Sequence, residues 1–569
     1  MYRSLLILFI LAAASFAGSK PNIIFILCDD LGWGDLGIYH QNERRAERKH
    51  STPCLDRFAR EGIQLRGHYC PAPVCAPSRS SLLRGLHQGH ADIRDNQFDK
   101  ALPDDHTLAS VLRTAGYHTA LVGKYGLQGK EGDDPATWPA YPTKRGFDEF
   151  LGYVRHRDGH QHYPAHTWPL GGNENHMQRK QVWHNNREIS AHLEKCFTSD
   201  LFTAYAKKWI TDKVQETPET PFFLFLAYDT PHAALQLPPC PYPEGGGMNG
   251  GLQWLGEKGK MINTATGTVD AWVHPDHEGW TKLEQRQAGM IRRIDDHIGD
   301  LTQLLRDLRI AQNTLVVFSS DNGPHSESYI KGVPYPASTF QAYGPYNGIK
   351  RDTLEGGIRV PSLAWWPDTI PAGRKEEGHS QFHDWLNTFL AAAGMPLLAQ
   401  SDGVSLLPLL TGKGEQETPR TYIEYSVAGG TPDYQDFEPA HRKARRGQMQ
   451  VLFLEGHKGL RRQIKGADDD FQIFKISKDP RELQNLAGNM PELNERMKAA
   501  VLQMRRPNPT AKRPYDHTPI PPVAGRDTEP GVTARFLPGD FPRVPTLTGS
   551  EATKKEGLTF QAPSPGAVE

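Results

Sequence analysis

Four stretches of this chain are apolar without the alternation of a half-exposed strand, and each ends abruptly in polar residues. Asn22 to Cys28 runs into Asp29-Asp30, and Thr119 to Val122 into Gly123-Lys124. Pro221 to Tyr228 is followed by Asp229-Thr230-Pro231-His232, and Thr314 to Phe318 by Ser319-Ser320-Asp321-Asn322. Segments apolar on both faces predict strands buried in a parallel sheet. Between them lie segments of helical period. The clearest is Leu283 to Leu308, where Ile291, Ile294, Ile298, Leu301, Leu305 and Leu308 recur at three and four residues. Alternating strand and helix predicts an α/β fold with helices on both faces of the sheet. Asp29, Asp30, Lys124, His232, Asp321 and Asn322 then all fall just past the C-terminal ends of strands, the edge where open α/β sheets bind ligands. Taken singly, each has a bland reading: Asp321-Asn322-Gly323 is a good turn, and His232 an ordinary loop histidine.

The pattern changes near residue 430. Gln448 to Leu454, Gly459 to Ile464 and Phe471 to Ile476 read as strands, and a helical region is expected from Lys478-Asp-Pro-Arg-Glu482 through Met504. This predicts a small antiparallel sheet with one packed helix. The basic run His441 to Arg446 reads as a solvated hairpin. The expected division is a catalytic domain over 18–435, an α+β subdomain over 436–505, and a Pro- and Gly-rich tail over 506–569. Residues 1–17 have a basic start at Arg3, an apolar core and Ser15-Phe16-Ala17, which reads as a secretory signal peptide. Export without a membrane anchor, to the periplasm or beyond, is the expectation.

The chain has 569 residues, too many for one compact core. Lys+Arg 65 against Asp+Glu 66 gives a net charge of −1, which argues against a nucleic-acid binder. Any anion-binding site must therefore be local. Six cysteines, at 28, 54, 70, 75, 196 and 240, are too few for a disulfide scaffold, and their pairing cannot be read from spacing.

One cysteine sits in a stretch that is no packing pattern: Cys75-Ala-Pro77-Ser-Arg79-Ser-Ser-Leu-Leu-Arg84-Gly85. Pro77 suits a first helical turn, and free N–H groups there favour an anion. Arg79 adds forked donors that suit a tetrahedral oxyanion. Further on, Gly348-Ile-Lys350-Arg-Asp-Thr-Leu-Glu355-Gly-Gly-Ile-Arg359-Val-Pro361 looks like a loop and turn into a buried strand, with Lys350 bland if taken alone.

Together with Asp29 to Asp35, Gly123-Lys124, Thr230-Pro231-His232, Ser320 to Gly323, and Phe474 to Leu486, these motifs resemble the type I sulfatases of the alkaline-phosphatase-like superfamily, from Pro21 to about Met504. The resemblance implies a large, mostly parallel mixed sheet between helices. It implies hydrolysis of a sulfate monoester by formylglycine (3-oxoalanine), made from Cys75 by a maturation enzyme. Asp29, Asp30, Asp321 and Asn322 would hold a cation with residue 75, and oxygen ligands suit Ca2+ or Mg2+ rather than zinc. Lys124 and Lys350 would neutralise sulfate oxygens, His232 would protonate the leaving oxygen, and Arg79 would orient the formylglycine.

The family usually has Gly-Lys-Trp-His-Leu where this chain has Gly123-Lys124-Tyr125-Gly126-Leu127. Either an imidazole comes from elsewhere or the metal does more; the loop with His156, His160, His162 and His166 is the candidate, its bland reading being a solvated surface loop. His160 is expected to fill the space beside Gly126, with His162 in reserve and Tyr163 and Trp168 walling a sugar ring. His325 is counted with His160 and His162 as substrate-binding. The Lys-x-Gly pattern and His160-Gln-His-Tyr163-Pro164 are similar to a branch of bacterial carbohydrate sulfatases, so a sulfated saccharide is the expected substrate. Two other readings stand: a phosphodiesterase or phosphonate hydrolase of the same superfamily, disfavoured by the lack of a zinc-type cluster of His and Asp, and a catalytically inactive sugar-binding relative.

Overall fold

The computed structural model describes residues 20–96, 100–131, 137–172, 174, 177–507 and 513–520. Residues 1–17, read above as a signal peptide, and the tail beyond residue 520 lie outside them. Strands are β1 Asn22–Cys28, β2 Ile63–Tyr69, β3 His118–Lys124, β4 Glu149–Tyr153, β5 Trp183–His184, β6 Arg187–Glu188, β7 Phe222–Ala227, β8 Trp254–Glu257, β9 Lys260–Ile262, β10 Thr314–Ser320, β11 Ser362–Trp365, β12 Arg374–Gln381, β13 Tyr422–Gly430, β14 Arg445–Leu454, β15 His457–Arg462 and β16 Gln472–Phe474.

The described residues build a ten-stranded sheet in the order β12-β2-β11-β10-β1-β7-β3-β4-β5-β6. Its centre, β10-β1-β7-β3-β4, is parallel throughout. The antiparallel pairings are those of β11, β5 and β6. The unbroken apolar runs are explained by burial on both faces. Ile23, Phe25 and Leu27 point into one core with Leu82, Leu108, Trp385 and Phe389. Ile24, Ile26 and Cys28 point into the other with Phe58, Leu201, Ile294 and Ile298. Helices Cys75–Arg84, Leu108–Thr114 and Asp384–Ala392 therefore cover one face, and Pro53–Glu61, Thr198–Glu216 and Lys282–Asp307 the other. The helix Lys282–Asp307 starts at a capping box in which the Thr281 hydroxyl accepts from the Glu284 amide and the Glu284 carboxylate accepts back from Thr281.

The second sheet, β13-β14-β15-β16, is antiparallel. Leu493, Met497 and Val501 of helix Pro491–Met504 pack on Tyr422, Leu452, Phe471 and Ile473. This sheet begins with β13, a strand beyond the three expected, which precedes residue 436. The helical region expected from Lys478 starts instead at Pro491. Asp479 Oδ2 accepts the Leu483 and Gln484 amides, both at 2.8 Å, and Glu482 has φ +58, so these residues form a turn. In the basic run, Arg446 is buried on Asp352 at 2.6 Å rather than solvated. All six cysteines are unpaired. Among the described residues no helix is long and apolar enough to cross a membrane.

Candidate active site

The parallel strands deliver their polar ends to one place. The ladder continues one step past β1, where the Asp29 amide donates to Thr230 O at 3.1 Å and the Asp321 amide to Cys28 O at 3.0 Å. Asp30 takes a left-handed φ of +65, and its amide donates to Asp321 Oδ1 at 3.2 Å. Such a backbone is uncommon outside glycine, and strain of this kind clusters at functional sites.

Cys75 is the first residue of a helix whose every residue, Cys75 to Arg84, is buried; Val74 before it is extended, and Gly85 ends it at φ +64. Cys75 Sγ lies 3.3 Å from Asp29 Oδ1. Arg79, one turn on, sits behind the cluster. Its Nε donates to Asp321 Oδ2 at 3.0 Å, a terminal nitrogen lies 3.4 Å from Asp29 Oδ2, and the other donates to Lys124 O at 2.8 Å. Lys124 Nζ donates to Asp29 Oδ2. Lys350 Nζ donates to Asp30 Oδ2 at 2.7 Å, and Asn322 Nδ2 to Asp30 Oδ1 at 2.6 Å. His232 Nε2 stands 3.3 Å from Asp30 Oδ2. Nine of the residues singled out in the sequence thus meet in one buried cluster.

The charges set one another. Burial alone would raise the Asp29 carboxyl, but Lys124, Arg79 and Lys350 outweigh it and hold it well below the usual range. Burial and then Asp29 push Asp321 up to about 7. Burial and Asp29 also push the Cys75 thiol well up. A buried thiol beside two carboxylates is a poor nucleophile, since reactive cysteines need an electropositive setting that favours the thiolate. Burial, then Lys350 and Lys124, keep His232 neutral.

The donor set fits a cation. One ligand atom from each of Asp29, Asp30, Cys75 and His232 lies within 4.8 Å of all the others. Asn322 Oδ1 is buried with no hydrogen-bond partner, although such an atom normally has one. With Asp321 beside Asp30, the carboxylate and amide oxygens suit a hard divalent ion.

The histidine loop does fold over the site, but not as expected. The residue beside Gly126 is His156. A Cβ on Gly126, whose φ is +74, would lie 2.9 Å from His156 Nδ1. His160 instead stacks on His232, with ring centroids 4.2 Å apart and 9° between planes. Gly159 packs on the Lys124 stem, where a Cβ would meet Cδ at 2.7 Å. His162 is buried and cannot meet a substrate: its Nδ1 is engaged by Asp229 Oδ2 and its Nε2 by His232 O, both at 2.9 Å. His325 is likewise taken, its Nε2 donating to Pro231 O and its Nδ1 accepting from the Glu327 amide, both at 3.1 Å. Both support the His232 segment. Tyr163 and Trp168 are buried too, with Tyr163 OH donating to Leu237 O, so neither walls a sugar. The half-buried aromatic at the mouth is Tyr329, 5.9 Å from the His232 ring and 6.1 Å from His160. Beside it Arg351 pairs with Glu327 at 2.6 Å, their side chains 34% and 22% exposed. Sequence reasoning put His156 in the candidate loop but gave its place to His160, and it missed Tyr329, Glu327 and Arg351. The only signal was adjacency, Arg351 to Lys350 and Glu327 to His325.

A buried cluster of acids, bases and one cysteine at the C-terminal edge of the parallel strands is the candidate active site of an enzyme. Comparison with known proteins gives its family. Residues 21–395 match the sulfatase family model, and residues 344–507 the model described as N-sulphoglucosamine sulphohydrolase, C-terminal. N-acetylgalactosamine-6-sulfatase of Canis lupus familiaris is 30% identical over 441 residues, covering 73% of this chain and 72% of its own. Arylsulfatase A of Bos taurus is 29% identical over 526 residues, covering 87% and 89%. The crystal structure of Ps i-CgsB in complex with k-i-k-neocarrahexaose shares the fold, with TM-score 0.60 at 24% identity over 85% of this chain and 91% of that one. The chain belongs to the sulfatase family, type I, of the alkaline-phosphatase-like superfamily. It is a sulfuric ester hydrolase, and the phosphodiesterase and inactive-relative readings are not favoured.

Proposed function

We propose that the enzyme is exported and removes sulfate from a sulfated carbohydrate, using formylglycine at position 75 and Ca2+ or Mg2+. The observation that carries this is the convergence of Asp29, Lys124, Lys350 and His232 on the start of the helix at Cys75. Formylglycine would supply an aldehyde hydrate as the oxygen nucleophile, and a cation held by Asp29, Asp30, Asp321 and Asn322 would supply Lewis acidity beside it.

The remaining roles belong to the chain. Arg79, Lys124 and Lys350 balance Asp29, Asp30 and Asp321, so a divalent cation leaves the pocket net positive for a sulfate monoester. Lys124 and Lys350 neutralise sulfate oxygens. His232 Nε2 carries the proton to the leaving oxygen once the bound sulfate offsets the two lysines. Arg79 fixes Asp29, Asp321 and the end of β3. The departing sugar would meet His160, Tyr329 and the Glu327–Arg351 pair, the half-exposed groups at the mouth. Relatives named for N-acetylgalactosamine 6-sulfate and a neighbour crystallised with a neocarrahexaose support a saccharide.

The test is a panel of defined sulfated saccharides with a small aryl sulfate and an aryl phosphonate, assayed with the aldehyde-bearing, Ca2+-loaded protein. Sulfate release from one saccharide well above the phosphonate rate is expected. Turnover of the phosphonate alone would contradict the proposal.

A further inference from the structure

We propose that His87, His90 and Asp402 form a second metal site, for a divalent cation of the zinc class, at the far end of the helix that begins with Cys75. One ligand atom from each of the three lies within 4.8 Å of the others. His90 Nδ1 is 2.7 Å from Asp402 Oδ1, and His87 Nδ1 is 3.6 Å from Asp402 Oδ2. The two imidazoles stack with centroids 4.6 Å apart. The backbone holds them there: the Asp402 amide donates to Gly85 O at 2.9 Å, and the His87 amide to Asp402 Oδ2 at 3.0 Å. His87 is buried, while the His90 and Asp402 side chains are 33% and 15% exposed, which leaves a cation a way in. His90 and Asp402 lie 312 residues apart, so no spacing in the sequence announces the set.

A second observation points to a ligand. His383 is fully buried, one ring nitrogen faces the Arg420 backbone, and its ring stands edge-on to His87 at 5.7 Å. The other nitrogen of this buried ring has no hydrogen bond, and that carries a desolvation cost which a polar ligand in this space would remove. The protonation state agrees. Burial holds His87 down to about 4, so it presents a neutral ring to a cation. Two imidazole nitrogens and one carboxylate suit zinc-class ions, whereas the sheet edge offers mainly oxygen. Binding displaces the long bond from the Gly89 amide to His87 Nδ1 at 3.2 Å, and replaces the 2.7 Å hydrogen bond between His90 Nδ1 and Asp402 Oδ1 with two bonds to the cation. The cation would tie the exit of the Cys75 helix to the start of helix Asp384–Ala392 and to the Asp402 loop. By helical rise it lies about 15 Å from Cys75 and takes no part in the chemistry there.

The test uses full-length protein saturated with Ca2+ and titrated with Co2+, read by visible absorption and by metal content after dialysis. One equivalent with imidazole-type bands, displaced by Zn2+, and a higher melting temperature with Zn2+ are expected. His90→Ala should lose that equivalent and the Zn2+-dependent stabilisation while keeping turnover within about twofold, since a surface site away from the chemistry changes little else. His90→Gln, which keeps polar bulk without the imidazole, serves if the alanine variant does not fold. The proposal is overturned if Ca2+-saturated protein takes up no Co2+, or if the His90 variants bind it as the parent does. Neither readout depends on which ester the enzyme hydrolyses.

Discussion

The catalytic edge and the cluster around Glu355 are both buried mixtures of acids and bases, and they differ in how their charges end. In the second cluster, Glu355 Oε1 meets Lys458 at 2.8 Å, and its Oε2 meets Arg359 at 2.7 Å and Tyr69 OH at 2.9 Å. Lys458 reaches Glu482 at 2.7 Å, and Glu482 Oε2 accepts the Glu355 amide at 2.9 Å. Each charge finishes on another protein group, and the result joins β15 to the segment entering the main sheet. At the catalytic edge three carboxylates crowd one space, Asn322 Oδ1 has no partner, and Cys75 faces Asp29. Both clusters carry the desolvation cost of buried charge. The closed one holds two sheets together, and the open one leaves room for a ligand.

This contrast can be broken on either side. The largest effect should come from Cys75→Ala, with a loss of about 10⁶ in kcat, as when a nucleophile is removed, and an unchanged melting temperature. Turnover near the parent rate would remove residue 75 from the chemistry. Next comes Lys458→Met, which strands two buried carboxylates and should cost about 3–5 kcal/mol in denaturant unfolding, with KM of the folded fraction unchanged. A variant as stable as the parent would mean the closed cluster does not hold the sheets. Lys124→Ala and Lys350→Ala should each lower kcat/KM by roughly 10²–10³, as when one stabilising group is taken from a developing charge. A loss seen with a saccharide but not with a small aryl sulfate would move the lysine concerned to the sugar. The smallest effect is expected from Gly126→Ala, about 1–3 kcal/mol for a strained positive φ. The added clash with His156 should be relieved in part when His156→Ala is combined with it, and strict additivity in that double-mutant cycle would contradict their contact.

Four central strands, β1, β3, β7 and β10, were legible because they are buried on both faces, so their apolar runs and polar ends mark the strands and the site together, whereas part-exposed strands such as β12 were not. Asp29, Asp30, Lys124, His232 and Asp321 follow from that pattern alone. β13 was not legible, because Tyr422 to Gly430 ends in exposed residues and two glycines that read as a loop. The place of His156 was not legible either, although the loop that holds it was. Its place beside Gly126 depends on how β4 returns the chain over β3, where the Gly126 amide donates to Val154 O at 3.1 Å. Two of the histidines chosen from the sequence are scaffold, since nothing in spacing shows that both nitrogens of His162 and of His325 are already engaged.

The central claim is that the residue at position 75 does the chemistry as an aldehyde, within the cluster of Asp29, Lys124 and Lys350. Peptide mass spectrometry of the segment around Cys75 measures the aldehyde fraction directly, in preparations made with and without a maturation enzyme. Sulfate release per mole of protein should rise in proportion to that fraction and vanish where only thiol is found. Full turnover by protein carrying thiol at position 75 would contradict the account.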